Sequence, residues 1–363
     1  MAGHVTVGKS SRDVIVVGGG VIGLSITMAA AKKGLRVAVI DGGHAGAASS
    51  VAAGLLAPSL GTLPTRAAAA FRAANKGYAE FLGSVQEASG HTDLALGKGI
   101  LEIALAAEDV PYLNEAMDPA AIRMASGDVA RHAPDVVPVA GAMLHQDDGW
   151  IEPRRLLGAL TATIPAGALI QDRVAAVDIG ADIVVRTESG ERHRCGLLVI
   201  AAGSWSPLIG GLPARLPIVP ARGEVIVIET THTLPFAIAC EGGYFVPRPG
   251  GIVVGSTFDF VGYDPRSTLA GRARLEKLAS QVIPGAFARV TRTTSWAGLR
   301  PMTPDKLPIV DSDPADRRIV YSCGHGKNGL LLAGLTAEIV LDLLSGNRLE
   351  ADSPFRLDRF KVK

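Results

Sequence analysis

The sequence predicts an α/β protein with a two-domain α+β organisation: a Rossmann-like nucleotide-binding domain and an inserted, mainly antiparallel β domain. Three patterns indicate this. A glycine-rich β-α-β unit begins the chain, short β-rich runs fill its middle, and a strand followed by an apolar helix comes near its end. Because 363 residues exceed what one hydrophobic core usually supports, two domains are expected. The nucleotide domain is predicted to comprise residues 1–90, 150–206 and 297–363, and the inserted domain residues 91–149 and 207–296.

The first segment of the nucleotide domain alternates strands with helices. The continuous apolar run "DVIVV", residues 13–17, is typical of a buried parallel strand. The helix predicted after it ends at Gly34, and "RVAVID", residues 36–41, is the second strand. Residues 66–90 carry large apolar side chains at helical spacing, which predicts one helix that Gly90 ends.

The rest of the chain becomes β-rich and then returns to an α/β pattern. A helix is predicted from Pro153, and among the short β runs after it only "LLVIAAG", residues 197–203, has the apolar core of a buried strand. Residues 223–229 and 243–257 continue as strands of the inserted domain. The strand "RRIVYSCG" and the helix "LLLAGLTAEIVLDLLSG", within residues 317–346, then rejoin the nucleotide domain.

The composition is that of a folded protein without a preference for polyanions. Basic and acidic residues number 36 and 35, and the net charge of +1 gives no electrostatic footprint for nucleic acid. Cys195, Cys240 and Cys323 lack the spacing of a zinc site, which favours free thiols and a reducing compartment. The histidines also lack ligand spacing, so no metal is predicted. Neither an export signal nor a membrane span is apparent, and a cytoplasmic location is expected.

The glycines after the first strand predict a dinucleotide site. Gly18, Gly20 and Gly23 match G-x-G-x-x-G between a strand and a helix, and Asp41 ends the second strand. Gly18 permits a tight turn, Gly20 lets the backbone approach a pyrophosphate, and Gly23 allows close helix packing. Asp41 would accept hydrogen bonds from ribose hydroxyls. The motif alone does not separate NAD from FAD.

Two further stretches favour FAD. Residues 42–58, "GGHAGAASSVAAGLLAP", are rich in small residues that would let an extended backbone lie along the pyrophosphate and the flavin. In "LLVIAAGSWS", residues 197–206, a buried strand ends in small residues that allow close approach to the nucleotide. A nicotinamide enzyme has no evident use for both stretches.

Taken together, the motifs of this sequence resemble those of the D-amino-acid oxidase family of FAD-dependent amine oxidases, and within it most closely the glycine oxidases. The matching stretches follow the family's order from about residue 13 onward. They are "VIVVGGGVIGLSI", "ASSVAAGLLAP", "DDGWIEP", "LVIAAGSWS", "PARGEVIVIE", "GGYFVPRPGGIVVGST", "WAGLRPMTPDKLPIV" and "CGHGKNGLLLAG". The resemblance implies hydride transfer from a substrate α-carbon to flavin N5, giving an imine that water hydrolyses, and oxygen as the acceptor that yields hydrogen peroxide.

The resemblance also assigns the residues that bind the substrate. Arg300 would bind the substrate carboxylate through its planar two-pronged guanidinium, and the Tyr244 hydroxyl would hydrogen-bond the same group. Phe258 would form an apolar wall near the substrate amine. Lys327 stands where glycine oxidases carry a second arginine, and we expect it to add positive charge near the flavin or the carboxylate. His325 is expected in the pocket, where it would position the late glycine loop rather than act as a base.

For the cofactor, the resemblance implies non-covalent FAD, because no cysteine lies in "SWAGLRPMTPD", where sarcosine oxidases attach theirs. The late loop is expected over the flavin, with the N-terminus of a helix from about Gly329 stabilising charge on the reduced ring. The predicted FAD contacts are Gly18, Gly20, Val21, Ile22, Gly23, Asp41, Gly42, Ala48, Ser49, Ser50, Ala53, Gly54, Leu55, Val174, Gly203, His325, Gly326, Lys327, Asn328, Gly329, Leu330 and Leu331. A homo-oligomer, dimer or tetramer, is also implied.

Several alternatives stay open at this point. The same site would serve a dehydrogenase that passes electrons to a quinone or a protein instead of oxygen. A tRNA-modifying flavoprotein domain is a more distant alternative, disfavoured by the near-zero net charge. A flavin-binding scaffold without activity would need neither Arg300 nor Tyr244. The choice among glycine, sarcosine, D-alanine and D-proline depends on pocket volume, and a role in forming the thiazole of thiamine is implied only by the resemblance.

Overall fold

The computed structural model describes residues 12–61, 65–114 and 120–360. Within these residues the strands form an eight-stranded and a nine-stranded sheet. The strands are β1 (Arg12–Val17), β2 (Val37–Asp41), β3 (Leu55–Leu56), β4 (Leu96–Ala104), β5 (Ile122–Met124), β6 (Gly141–Ile151), β7 (Leu169–Gln171), β8 (Val174–Ile179), β9 (Ile183–Thr187), β10 (Arg192–Ile200), β11 (Val219–Glu229), β12 (Ala237–Cys240), β13 (Gly243–Arg248), β14 (Gly251–Gly255), β15 (Arg292–Met302), β16 (Ile309–Ser312) and β17 (Ile319–Cys323).

The helices lie between these strands. They are α1 (Val21–Lys32), α2 (Ala48–Val51), α3 (Thr65–Lys76), α4 (Tyr78–Ser89), α5 (Val110–Asn114), α6 (Ser126–His132), α7 (Pro153–Ala162), α8 (Leu269–Val282), α9 (Pro284–Phe287) and α10 (Gly329–Leu344). Short 3-10 turns occur at Ala107–Asp109, Gly203–Leu208 and Leu357–Phe360.

The first sheet has the strand order β16-β17-β10-β1-β2-β7, and its central strands are parallel. Side chains of β1 alternate between two cores. Val14 and Val16 pack into the core that α1 and α10 share, whereas Ile15 and Val17 pack into the core covered by the β8–β9 hairpin. Because both faces are buried, the strand reads as a continuous apolar run, as predicted.

The second sheet has the order β15-β11-β14-β13-β12-β4-β6-β3 and is antiparallel except for the β12–β4 pair. One face packs on α8 and α9 through side chains such as Ile226 and Phe245. The other face carries Val225, Val246 and the half-buried Tyr244, which lie against the small residues that follow α2. This second face, here called the cavity face, carries the functional side chains described below.

Most of the predicted elements are confirmed, including the mainly antiparallel second sheet. The prediction of one helix over residues 66–90 is wrong, because the chain forms α3 and α4 with Gly77 between them. The sequence interpretation did not assign α8. The predicted domain boundary between residues 296 and 297 falls inside β15, and β3 joins the second sheet although residues 1–90 were assigned to the nucleotide domain. These domain bounds stay a prediction.

Three further features bear on the expected class of protein. The cysteines are free thiols, and burial raises the pKa of Cys195 and of Cys323 to about 12. In the part of the chain that the structure describes, no group of three or more His, Cys, Asp or Glu side chains could hold a metal ion. No helix among the same residues has the length and apolar character to cross a membrane.

Candidate active site

A cavity of about 2210 Å³ opens between the N-terminal end of α1 and the cavity face of the second sheet. Stretches that are distant in sequence line it, and three of them carry predicted site residues. They are residues 48–57, the strands that carry Tyr244 and Arg300, and the loop from Gly326 to Leu330. The cavity therefore lies where the predicted nucleotide and substrate residues meet.

The first glycine motif has the geometry of a phosphate site. Gly18 has φ +109°, and a Cβ there would lie 2.4 Å from the Ala201 carbonyl oxygen. A Cβ on Gly23 would lie 1.9 Å from the Gly18 oxygen, so α1 approaches the turn as closely as a glycine permits. No acidic residue lies in the first turn of α1, and its Val21 amide donates to Ser49 Oγ at 3.1 Å. The helix N-terminus is thus suited to an anion such as the FAD pyrophosphate.

Asp41 stands beside this turn, as expected for a ribose ligand. It ends β2 and is half-buried, and a Cβ on Gly19 would lie 2.9 Å from the Asp41 Cβ and Cγ atoms. Only a glycine at position 19 allows this approach. The structure therefore brings the carboxylate next to the glycine motif, while its contact with a ribose stays a prediction.

The small residues after α2 are held tightly against the second sheet. Gly54 has φ +91°, and a Cβ there would lie 1.9 Å from the Ile151 carbonyl oxygen. The Arg248 guanidinium donates to the Ala53 carbonyl and forms an ion pair with Glu152, with Nε and Oε2 3.2 Å apart. Burial lowers the pKa of Arg248, and the Glu152 charge opposes this shift. Sequence analysis did not single out Arg248, although it lies in the quoted "GGYFVPR".

The late glycine loop borders the cavity and leads into a helix, as predicted. The Gly326 amide donates to the Pro301 carbonyl at 2.9 Å, and His325 pairs with Met302 in an antiparallel bridge. The helix α10 begins at Gly329, with neither a side-chain cap nor an acidic residue in its first turn. Its N-terminus can therefore stabilise negative charge in the cavity.

His325 itself faces away from the cavity. It is buried, its Nε2 lies 3.1 Å from the Thr336 hydroxyl on α10, and burial lowers its pKa to about 3. His325 is not among the described residues that line the cavity. This position does not match the expectation that His325 lies in the substrate pocket. Its contact with α10 agrees with a role in positioning the loop.

Arg300 lies on the cavity face and is held in a fixed orientation. Its Nη2 donates to Ser256 Oγ at 2.7 Å and its Nη1 to the Thr257 carbonyl at 3.2 Å. The guanidinium rests on Gly223, where a Cβ would lie 2.1 Å from Nη2. No ion pair joins Arg300 to a carboxylate of any described residue. A half-buried guanidinium without an acidic partner is suited to binding a carboxylate from outside the protein.

Tyr244 lies close to this arginine on the same face. Its ring covers Gly255, where a Cβ would lie 2.6 Å from the hydroxyl oxygen. The next residue along the chain, Ser256, is the one that Arg300 contacts. The structure thus brings together two of the three residues predicted to bind the substrate.

Lys327 is the third of these residues, and it lines the same cavity as Arg300. The bridge between Met302 and His325 ends where the chain turns at Gly326, so Lys327 follows directly after the point of contact with the strand that carries Arg300. Its side chain is exposed to the cavity but enclosed by protein, and burial, followed by the charges of Arg300 and Lys306, lowers its pKa. Arg300 and Lys327 are thus two of the five cationic side chains that line the cavity.

Two aromatic side chains stand at the mouth of the cavity. Phe258 is 51% exposed, and its ring centroid lies 5.8 Å from the Arg300 Cζ. Phe260 is 65% exposed and meets Phe258 edge to face, with the ring centroids 5.3 Å apart. Phe258 lines the cavity as expected of an apolar wall, and Phe260, which the sequence analysis missed, lines it too.

The predicted FAD contacts divide according to where the structure places them. Those that line the cavity are Val21, Ala48, Ser49, Ala53, Gly54, Leu55, Gly326, Lys327, Asn328, Gly329 and Leu330. Those that do not are Gly18, Gly20, Ile22, Gly23, Asp41, Gly42, Ser50, Val174, Gly203, His325 and Leu331. Some of the second group shape the site by packing, as Gly23 does where α1 meets the turn at Gly18. Val174 lies at the start of β8, and Ser50 bonds the Ala47 carbonyl.

Comparison with known proteins identifies the family. The DAO family model, described as FAD dependent oxidoreductase, matches residues 13–343. A glycine oxidase of Geobacillus kaustophilus is 30% identical over 96% of this chain and 97% of its own length, and one of Pseudomonas putida is 31% identical over 93% and 95%. The crystal structure of glycine oxidase from Geobacillus kaustophilus superposes with a TM-score of 0.89, at 27% identity, over 97% of this chain and 100% of that one. The chain therefore belongs to the DAO family of FAD-dependent oxidoreductases.

Proposed function

We propose that this enzyme oxidises glycine or another small amino acid, N-methylglycine or a small D-amino acid, to the imine. The observation that carries the proposal is the unpaired Arg300 guanidinium, which lies beside Tyr244 in the cavity that the FAD-binding segments line. The chemistry supplied by bound FAD is a two-electron oxidation, in which the α-hydrogen leaves as hydride. Water then hydrolyses the imine to an oxo acid and ammonia or an amine. Molecular oxygen is the proposed final acceptor and becomes hydrogen peroxide.

The substrate carboxylate is bound by Arg300. A guanidinium has five N–H donors, and because Ser256 and Thr257 accept one each, three remain for a carboxylate. The Tyr244 hydroxyl can donate a further hydrogen bond to the same group. Fixing the carboxylate in this way orients the α-hydrogen, so the bound substrate is held close to its reactive geometry.

The positive charge of Arg300 and Lys327 also favours the reactive form of the amine. Arg300 and Lys327 face one cavity, so positive potential there opposes a protonated amine and lowers its pKa. When the amine is neutral, hydride can leave its α-carbon without help from a base of the protein. His325, neutral because of its burial and bonded to Thr336, is not placed to act as one.

A peroxide-coupled assay on the purified yellow protein tests the function. Glycine, sarcosine, D-alanine and D-proline are compared for wild type, Arg300→Met and the control Arg292→Met, which lies on the same strand but is exposed and paired with Glu229. We expect Arg300→Met to lower kcat/KM about 100-fold or more, and Arg292→Met to have little effect. A wild-type protein that oxidises none of these compounds with any acceptor would show the proposal to be wrong.

One feature of the surface favours an electron acceptor other than oxygen. Phe258 and Phe260 line the cavity and are exposed, and the next residues of the same loop, Val261 and Tyr263, are exposed as well, which suits contact with a quinone or a protein. Turnover with an artificial quinone but without peroxide would support a dehydrogenase over the oxidase.

The oligomeric state and the cellular location also stay proposals. We infer a homo-oligomer, dimer or tetramer, in the cytoplasm, from the resemblance to the family. Sedimentation velocity of the holoenzyme tests the first, since a single species of 37.5 kDa would contradict it.

A further inference from the structure

The guanidinium of Arg300 lies in a three-sided setting, here called the Arg300 cradle, which is formed by Gly223, Ser256 and Thr257. Gly223 supplies the floor, because a Cβ there would fall within 2.2 Å of Cζ, Nη1 and Nη2. Ser256 Oγ accepts from Nη2 at 2.7 Å, and the Thr257 carbonyl accepts from Nη1 at 3.2 Å. The cradle restrains both terminal nitrogens of a side chain that is otherwise long and flexible.

Behind the cradle, Thr257 is attached to a buried acidic residue. The Glu224 amide donates to Thr257 Oγ1 at 3.0 Å, and the Thr257 amide donates to the Glu224 carbonyl at 3.2 Å. The Glu224 carboxylate, on a residue that is almost fully buried, accepts from the Thr268 amide and hydroxyl at 2.6 and 2.9 Å. Thr268 in turn caps α8 by accepting from the Gly271 amide at 3.0 Å. One wall of the cradle is thus rigid.

Ser256 differs from Thr257 in how it acts on the arginine. Its bond comes from a side chain, so a substitution can remove it without changing the backbone. The bond is the shorter of the two, and it links two half-buried groups 44 positions apart in sequence. Ser256 also lines the cavity, so its hydroxyl stands at the place where a carboxylate would meet the guanidinium.

We propose that Ser256 is a positioning residue of the carboxylate site: by holding Nη2 it turns the free donors of Arg300 towards the substrate. The enzyme's preference for a carboxylate over a neutral group at that position then depends on Ser256. This inference rests on the proposed function, because it takes Arg300 to be the carboxylate ligand. The two can nevertheless fail separately.

The test compares holoenzymes of wild type, Ser256→Ala and the control Ser267→Ala. Ser267 lies in the same loop before α8, and its hydroxyl lies 3.3 Å from the Ser295 hydroxyl, its one hydrogen-bond partner within the described part of the chain. Acetate, a carboxylate without an amine, is titrated against the flavin absorbance to give a Kd. The KM and kcat for glycine and for glycinamide, which lacks the carboxylate, are measured beside it.

For Ser256→Ala we expect the acetate Kd and the glycine KM to rise about 10-fold, with kcat reduced much less and glycinamide kinetics unchanged. Ser267→Ala should match wild type. Equal losses with glycine and glycinamide would mean a general structural role, and an unchanged acetate Kd would mean no role, so either result overturns the proposal. If Ser256→Ala does not retain FAD, Ser256→Thr decides, because keeping the hydroxyl should keep the acetate Kd within about threefold.

The outcome also separates this inference from the proposed function. An active wild type with an unaffected Ser256→Ala variant would refute the positioning role alone. A wild type that neither binds acetate nor oxidises any of the amino acids would refute the proposed function, and the positioning role with it.

Discussion

Replacing Gly223 with alanine should displace Arg300, the proposed carboxylate ligand, while leaving the fold in place. The new Cβ would lie 2.1 Å from Nη2 of Arg300, whereas an unstrained contact needs about 3.5 Å, so the guanidinium must move by roughly 1.4 Å. Gly223 lies inside β11 without a positive φ, so the backbone itself accepts alanine. A shift of that size at a substrate-positioning group lowers the rate about 100-fold, which corresponds to about 2.7 kcal/mol of transition-state stabilisation.

Steady-state kinetics with glycine measure this effect, together with FAD content and the thermal midpoint. The matched control is Gly83→Ala on α4, where a Cβ would meet nothing within 4 Å. We expect Gly83→Ala to retain full activity with slightly higher stability, because alanine favours the helix. If Gly223→Ala kept kcat/KM within threefold of wild type at full FAD content, the description of Gly223 as the floor under the guanidinium would be wrong.

Three other predictions follow from single contacts. Burial and Arg300 lower the pKa of Lys327, so its charge is complete at low pH and is lost as the pH rises through that lowered pKa. Over the same pH range the glycine KM should rise, and Lys327→Met should remove this rise from the pH profile of KM. Arg248→Met loses both the Ala53 bond and the Glu152 ion pair, so the FAD Kd measured by fluorescence titration should rise about 10-fold. An unchanged Kd would show that these two contacts do not hold the segment after α2 in its FAD-binding position. The buried Tyr78 hydroxyl has no hydrogen-bond partner among the described residues, so Tyr78→Phe should raise the free energy of unfolding by about 1 kcal/mol in urea titrations. A loss of stability would contradict this.

Local patterns in the sequence predicted the parts of the fold whose geometry is itself local. The turn from Gly18 to Gly23 depends on neighbouring atoms, since a Cβ on Gly23 would strike the Gly18 oxygen. The start of α10 at Gly329 likewise follows from glycines that end a strand and an apolar run that begins a helix. The alanine-rich residues 66–90 were less informative, because helical spacing persists across the break at Gly77.

The candidate site depended more on contacts between distant segments. The resemblance to a family pointed to Arg300 and Tyr244, but no pattern within "GSTFD" predicts that Ser256 holds the guanidinium. The position of His325 was also not apparent, because a histidine in a glycine loop can face either side. Its bond to Thr336, on the helix that follows, is what turns it inward.

Short stretches of this chain are enough to specify a dinucleotide turn, an apolar parallel strand and a second glycine loop before a helix. Each of these is encoded by residues within one turn or strand of each other, where steric limits on the backbone act directly. The meeting of Gly223, Ser256 and Arg300 becomes apparent only once the chain is folded, as does the presence of Lys327 in the same cavity. Strand pairing sets such contacts, and pairing depends on the packing of the whole sheet rather than on any short stretch.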